Sequence, residues 1–118
     1  MILADTSVWV GHFRNGNTEL QNLLQENEVL MHPFIVGELA CGSMGNREEI
    51  LHLLRELPEA QVAEHGEVLE LIERRRLWGH GIGWVDVHLL AAALLSHSAI
   101  WTLDRQLLRV ASSLKLVQ

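Results

Sequence analysis

Four carboxylates stand apart from the other acids. Glu48, Glu49, Glu56, Glu67, Glu70 and Glu73 fall on the polar faces of amphipathic helical patterns. Asp5 instead closes the apolar run Met1 to Ala4, and Asp104 closes Ile100-Trp101-Thr102-Leu103. Glu38 lies among Ile35, Val36, Leu39 and Ala40, and Asp86 follows Gly83-Trp84-Val85 and begins the most apolar helical stretch. Brought together, four carboxylates repel one another unless a cation compensates. All-oxygen ligation suits Mg²⁺ or Mn²⁺. Such an ion can activate water and steady the leaving oxygen in phosphodiester cleavage. Ser7 and Thr102 add hydroxyls beside Asp5 and Asp104 that could hold a water or a phosphate oxygen. Taken singly, each acid has a simpler explanation: a helix cap for Asp86, and strand-end turn residues for Asp5 and Asp104. Glu38, with apolar flanks, resists such an explanation. The joint placement of all four carries the metal reading.

These residues need a scaffold that brings distant segments to one edge. Short apolar runs predict strands at Met1 to Ala4, Glu28 to Met31 and Ala99 to Leu103, with a final strand at Leu114 to Val117 and a short one at Gln61 to Ala63. Between them lie helical patterns. One runs through Val8, Trp9 and Phe13 with Thr6 and Ser7 as caps, and one carries Leu20, Leu23 and Leu24 after Thr18. Others run from Pro33 to Ala40 with proline in the first turn, from Arg47 to Leu57, from Val68 to Leu77, from Asp86 to Leu95 and from Arg105 to Val110. Strands alternating with helices imply an α/β fold whose parallel sheet is covered on both faces. In open parallel sheets, ligand sites lie outside the carboxyl ends of the strands. Asp5 and Asp104 occupy that edge, and helices that follow strands can bring Glu38 and Asp86 to it.

The composition narrows the function. The chain has 118 residues, about the size of one domain, here spanning 1–118. Its net charge of −6 speaks against nucleic-acid binding through bulk positive charge. The single cysteine, Cys41, rules out an intrachain disulfide and a cysteine-rich zinc site, and it reads as a small core residue. The seven histidines are scattered without a zinc-ligand spacing. His80 and His88 lie near Asp86 in the chain, with surface or packing roles favoured. The opening residues do not read as a signal peptide. Val87 to Leu103, interrupted by His88 and His97, suits a buried helix rather than a membrane span, and the single thiol fits a reducing cytoplasm, the expected location.

Nearly the whole chain resembles a PIN-domain ribonuclease, specifically the VapC-type toxins of bacterial type II toxin–antitoxin systems. The likeness rests on Ile2-Leu3-Ala4-Asp5-Thr6-Ser7-Val8-Trp9, on Glu38-Leu39, on Trp84-Val85-Asp86-Val87-His88-Leu89-Leu90-Ala91-Ala92-Ala93, and on Thr102-Leu103-Asp104. The resemblance implies a three-layer α/β/α sandwich with a central parallel sheet, and Mg²⁺- or Mn²⁺-dependent RNA cleavage. By motif, Asp5, Glu38, Asp86 and Asp104 are the implied metal-binding and catalytic set, supported by Ser7 and Thr102. It also implies a homodimer and a VapB-type antitoxin that fills a groove.

The family often carries an aromatic residue three positions after the last acid, where this chain has Leu107, and the stretch from Trp78 to Trp84 is unusual for it. RNA also needs positive contacts. Arg74, in the cluster Arg74-Arg75-Arg76, and Arg105, just after Asp104, are the candidates. Trp9, Phe13, Leu20, Leu23 and Leu24 serve the core or a partner surface, and the early helices with the Arg47–Leu57 helix suit an antitoxin helix. Two competing readings are an inactive PIN-like module that binds RNA or protein, and a receiver-type domain. The latter lacks its acidic pair beside Asp5 and a late-strand lysine, since the only lysine is Lys115.

Overall fold

A computed structural model describes all 118 residues. Three parallel strands form the sheet: β1 (Ile2–Ala4) in the centre, β2 (Val29–Leu30) on one side and β3 (Ala99–Trp101) on the other. Ile2 pairs with both Val29 and Ala99, and Ala4 pairs with Trp101. All three residues of β1 are buried, as a central parallel strand covered on both faces requires. Helices α1 (Thr6–Asn15) and α2 (Thr18–Gln25) connect β1 to β2. Helices α3 (Pro33–Ala40), α4 (Arg47–Arg55), α5 (His65–Arg75) and α6 (Trp84–Leu95) lead from β2 to β3, and α7 (Arg105–Ser113) follows β3. This is the expected α/β class.

The core joins Leu3 and Ala4 of the sheet to Val8, Leu20, Ile35, Leu89, Leu90 and Leu107 from the surrounding helices. Every residue of α6 from Val87 to Ala93 is buried. Three consecutive alanines there let the helix lie close to its neighbours. Leu107, where the family often has an aromatic ring, is fully buried. Trp9 and Leu20 belong to the core, while Phe13, Leu23 and Leu24 are partly buried against it.

Several boundaries differ from expectation, each for a local reason. Leu114 to Val117 is not a strand. The turn after α7 puts Lys115 in the left-handed region (φ 59°), so the chain meets β3 through one bond, from the Ile100 N–H to the Leu116 carbonyl (2.7 Å). Gln61 to Ala63 is not a strand either. The segment meets the end of β2 earlier, at the Met31–Glu59 bridge, and the Gln61 N–H then turns to Ser96 Oγ (2.8 Å). Helix α5 begins three residues early because the Glu67 carboxylate reaches back to the Glu64 N–H (2.9 Å). It ends at left-handed Arg76, before Leu77. Asn17, not Thr18, caps α2, and α4 stops at Arg55 rather than Leu57. Cys41 is exposed at the end of α3, not in the core.

Candidate active site

The three polypeptide stretches leaving β1, β2 and β3 all turn into helices at the carboxyl edge of the sheet, and three of the four acids follow from those turns. Asp5, not Thr6 or Ser7, caps α1: its Oδ1 accepts the Val8 N–H at 3.3 Å. That frees Ser7 to donate its hydroxyl to the same Oδ1 (2.5 Å). The other oxygen, Oδ2, accepts the hydroxyl of Thr102, just beyond β3. Asp5 is 7% exposed, yet every bond it accepts comes from a neutral group. A buried carboxylate stays ionised only where donors or charge compensate its lost hydration.

Thr102 does two jobs at once. Its hydroxyl donates to Asp5, and its oxygen accepts the N–H of Asp104 at 3.0 Å. Ser7 has a matching bridge, accepting the Leu103 N–H at 2.9 Å. The two hydroxyls therefore tie the start of α1 to the loop after β3. Asp104 caps α7, its Oδ1 accepting from the Gln106 and Leu107 N–H groups at 2.9 and 3.0 Å. Thr6, which sequence reasoning assigned only to capping, donates its hydroxyl to Glu38 Oε1 at 2.6 Å. That bond joins α1 to α3 and brings Glu38 beside the residue that follows Asp5. Its only advance signal is the position of Thr6 next to Asp5.

Asp86 does not open its helix. Helix α6 starts two residues earlier, capped at Gly83, and Asp86 Oδ2 reaches back to the Gly83 N–H (3.0 Å). The preceding loop lies against α7. A Cβ on Gly81, itself at φ 77°, would sit 2.6 Å from the carboxamide of Gln106, the second residue of the helix that Asp104 caps. The loop thus approaches Asp104 from the other side.

Hydrogen bonds through Thr6, Ser7 and Thr102 link Asp5 to the segments carrying Glu38 and Asp104, while Asp86 bonds only to Gly83, at the end of the loop that meets α7. No three carboxylate, imidazole or thiol side chains come close enough to share an ion. None of the four acids is paired with a cation. The molecule's ion pairs are Met1 amino group–Glu28, His52–Glu56 and Arg74–Glu70, all elsewhere. The donor chemistry fits a hard divalent cation: carboxylates flanked by hydroxyls, with no soft ligand and no ion pair to a basic side chain.

The two arginines part company. Arg105 is the first residue of α7, adjoining Asp104 and exposed. Arg74 is paired with Glu70 one turn back on α5. It faces Leu94 and Leu95 at the far end of α6 from Asp86, so the fold does not bring it to the acids. His80 is exposed and bonds the Arg76 carbonyl. His88 is buried, its ring 4.6 Å from Phe34 and 4.7 Å from Trp84. His32 caps α3, its Nδ1 accepting the Phe34 N–H at 3.0 Å. Burial first, and then the nearby His88, lower its pKa from 6.5 to about 4. His88 is lowered as well, by burial and then by His65. Both rings are therefore neutral near pH 7, and His32 keeps its capping lone pair.

Beside Glu38, α1, α3 and α4 enclose a groove of about 510 Å³ whose walls include Val10, Phe13, Arg14, Met44 and Ile50. No helix is long and apolar enough to cross a membrane.

Comparison with known proteins gives a consistent result. The family model for the PIN domain matches residues 2–113. Ribonuclease VapC32 of Mycobacterium tuberculosis strain H37Rv is 46% identical over 108 residues, covering 91% of this chain and 87% of that relative. The protein of the same name from strain CDC 1551 / Oshkosh matches to the same extent.

Proposed function

The chain belongs to the PIN-domain family as a VapC-type ribonuclease, and from that premise we propose that it is the toxin of a type II toxin–antitoxin pair, cutting RNA through Asp5, Glu38, Asp86 and Asp104. The observation that carries this reading is the setting of Asp5. It is buried at the end of the central strand, with both oxygens held by the Ser7 and Thr102 hydroxyls and no cation beside it.

PIN-domain ribonucleases generally use a divalent metal ion. Asp5 and Asp86 would hold Mg²⁺ or Mn²⁺ directly, with Asp104 and Glu38 completing the set directly or through water. The ion supplies a positive charge that makes a water more acidic and steadies the departing oxygen. The chain's own residues do the rest. Ser7 and Thr102 fix the plane of the Asp5 carboxylate. Thr6 holds Glu38 by Oε1, leaving Oε2 free to take the proton of the attacking water. The water oxygen bonds to phosphorus as the phosphorus–oxygen bond to the leaving ribose breaks. Arg105, exposed beside Asp104, meets a phosphate oxygen.

A VapB-type antitoxin would lay an apolar segment in the groove beside Glu38, covering the acids. The protein works in the cytoplasm, as a homodimer and as one PIN domain over residues 1–118. A second reading, an inactive PIN-like binding module, draws on the separation of the four carboxylates. Incubation of the full chain with RNA separates the two. Cleavage with Mg²⁺ that stops in EDTA and in Asp5→Ala supports the ribonuclease; RNA binding without any cleavage supports the module.

A further inference from the structure

We propose that Trp84 is the base-stacking residue of this site, receiving an unpaired RNA base next to the acids; the proposal rests on the ribonuclease reading above. Trp84 is the first residue of α6 and is 39% exposed, whereas Trp9 is 2% exposed in the core. Its indole is already held in place. The His65 ring of α5 lies 5.0 Å from it, and the buried His88 ring lies 4.7 Å away, nearly perpendicular. His88 is backed in turn by Phe34 of α3. Three helices thus fix a large aromatic ring that keeps more than a third of its surface in solvent. Core packing alone does not call for that arrangement.

Position links the ring to chemistry. Asp86 folds back onto the N–H of Gly83, the residue before Trp84, so indole and carboxylate share one helix terminus. The loop leading in holds Gly79, Gly81 and Gly83, two of them at positive φ; Gly81 packs against Gln106, while the space beside Gly79 and Gly83 is open enough for a nucleotide to come near. The charge balance also favours stacking. With a net charge of −6, general attraction for phosphate is weak, whereas an aromatic face binds any base without charge. Unpaired bases can stack on such a ring, while bases within a duplex cannot reach it.

The test is steady-state cleavage of a single-stranded RNA oligonucleotide by the full chain. It is repeated with an abasic nucleotide at each position flanking the cut. Trp84→Leu is expected to raise KM about tenfold or more, and Trp84→Phe to restore most of it. An abasic nucleotide at one flanking position should raise KM for the wild type and have little further effect in Trp84→Leu. Leu69→Ala, an exposed change on α5, should match the wild type. A Trp84→Leu KM within twofold of wild type overturns the proposal, as does an abasic penalty that persists in full in that variant. Loss of a co-purified protein partner with KM unchanged also overturns it, and assigns the ring to a protein interface. If the wild type cuts no RNA, the ribonuclease reading fails. The affinities of the same oligonucleotides for the wild type and Trp84→Leu then decide the stacking residue alone: a tenfold loss supports it, and equal affinity refutes it.

Discussion

Replacing Thr102 by valine removes one hydroxyl and almost nothing else. The side chain is 5% exposed, and valine has nearly its shape, so no cavity opens. Two bonds are lost. Asp5 Oδ2 loses its donor, and the Asp104 N–H loses its acceptor at the start of α7. A hydrogen bond to a charged group contributes about 1.5–3 kcal/mol, and a stranded buried group costs about 1–3 kcal/mol. Allowing for partial hydration of Asp104, the expected destabilisation is about 2–5 kcal/mol. That is a large share of the roughly 5–15 kcal/mol that holds a domain folded. Thr102→Ser keeps both bonds and loses one methyl group, at a cost of about 1 kcal/mol. Urea unfolding of the three proteins, with unchanged slopes, reads these differences directly. Where the valine variant is folded, its RNA cleavage should fall about 10- to 100-fold, because Asp5 is no longer held in one plane. A valine variant within about 0.5 kcal/mol of wild type, or equal to the serine variant, would refute the claim that this hydroxyl couples the two acids.

The remaining predictions follow from the other ends of the site. His32 has a folded pKa of about 4 against 6.5 when exposed, so the unfolded chain takes up its proton first as the pH falls. Stability should be unaffected by this group above about pH 6.5 and decline between about pH 6.5 and 4, by about 3 kcal/mol at pH 4. A His32→Asn variant, which can still cap α3, should lose that part of the pH dependence; an identical pH profile would count against it. Asp5→Ala should abolish cleavage, and it should destabilise the fold at least as much as Thr102→Val, because the α1 cap and the Ser7 and Thr102 hydroxyls lose their acceptor together; full activity in that variant would sink the assignment.

The sequence made the sheet's centre legible because β1, β2 and β3 are apolar runs that stop abruptly, at Asp5, His32 and Asp104 or just before them. Helix α6 was equally plain, since seven consecutive buried residues leave a long apolar run. Leu114 to Val117 has the same apolar character, and what denies it a ladder is one left-handed residue, Lys115, invisible to periodicity. The start of α5 was missed because a Glu64–Glu67 box does the work usually signalled by serine or threonine. In the proposed site, the pairing of the Ser7 and Thr102 hydroxyls with Asp5 could be anticipated from type and place. The bond from Thr6 to Glu38 spans 32 residues and depends on how α1 meets α3, which no local pattern encodes. Arg74 looked basic and near, but its ion pair and its helix face take it elsewhere.

The central claim is that the carboxylates together hold a divalent ion. The most direct measurement is the number of Mn²⁺ ions bound per chain, read from the free-ion electron paramagnetic resonance signal, for wild type and Asp5→Asn. Asparagine keeps the shape and an oxygen for the α1 cap, and its amide group can donate to the Thr102 oxygen in place of the bond it used to accept, so the charge is lost with the least change to the fold. The expected result is saturable binding of one or two ions by the wild type, displaced by Mg²⁺ and strongly weakened in Asp5→Asn. Equal binding by both proteins, or none by the wild type, would contradict it.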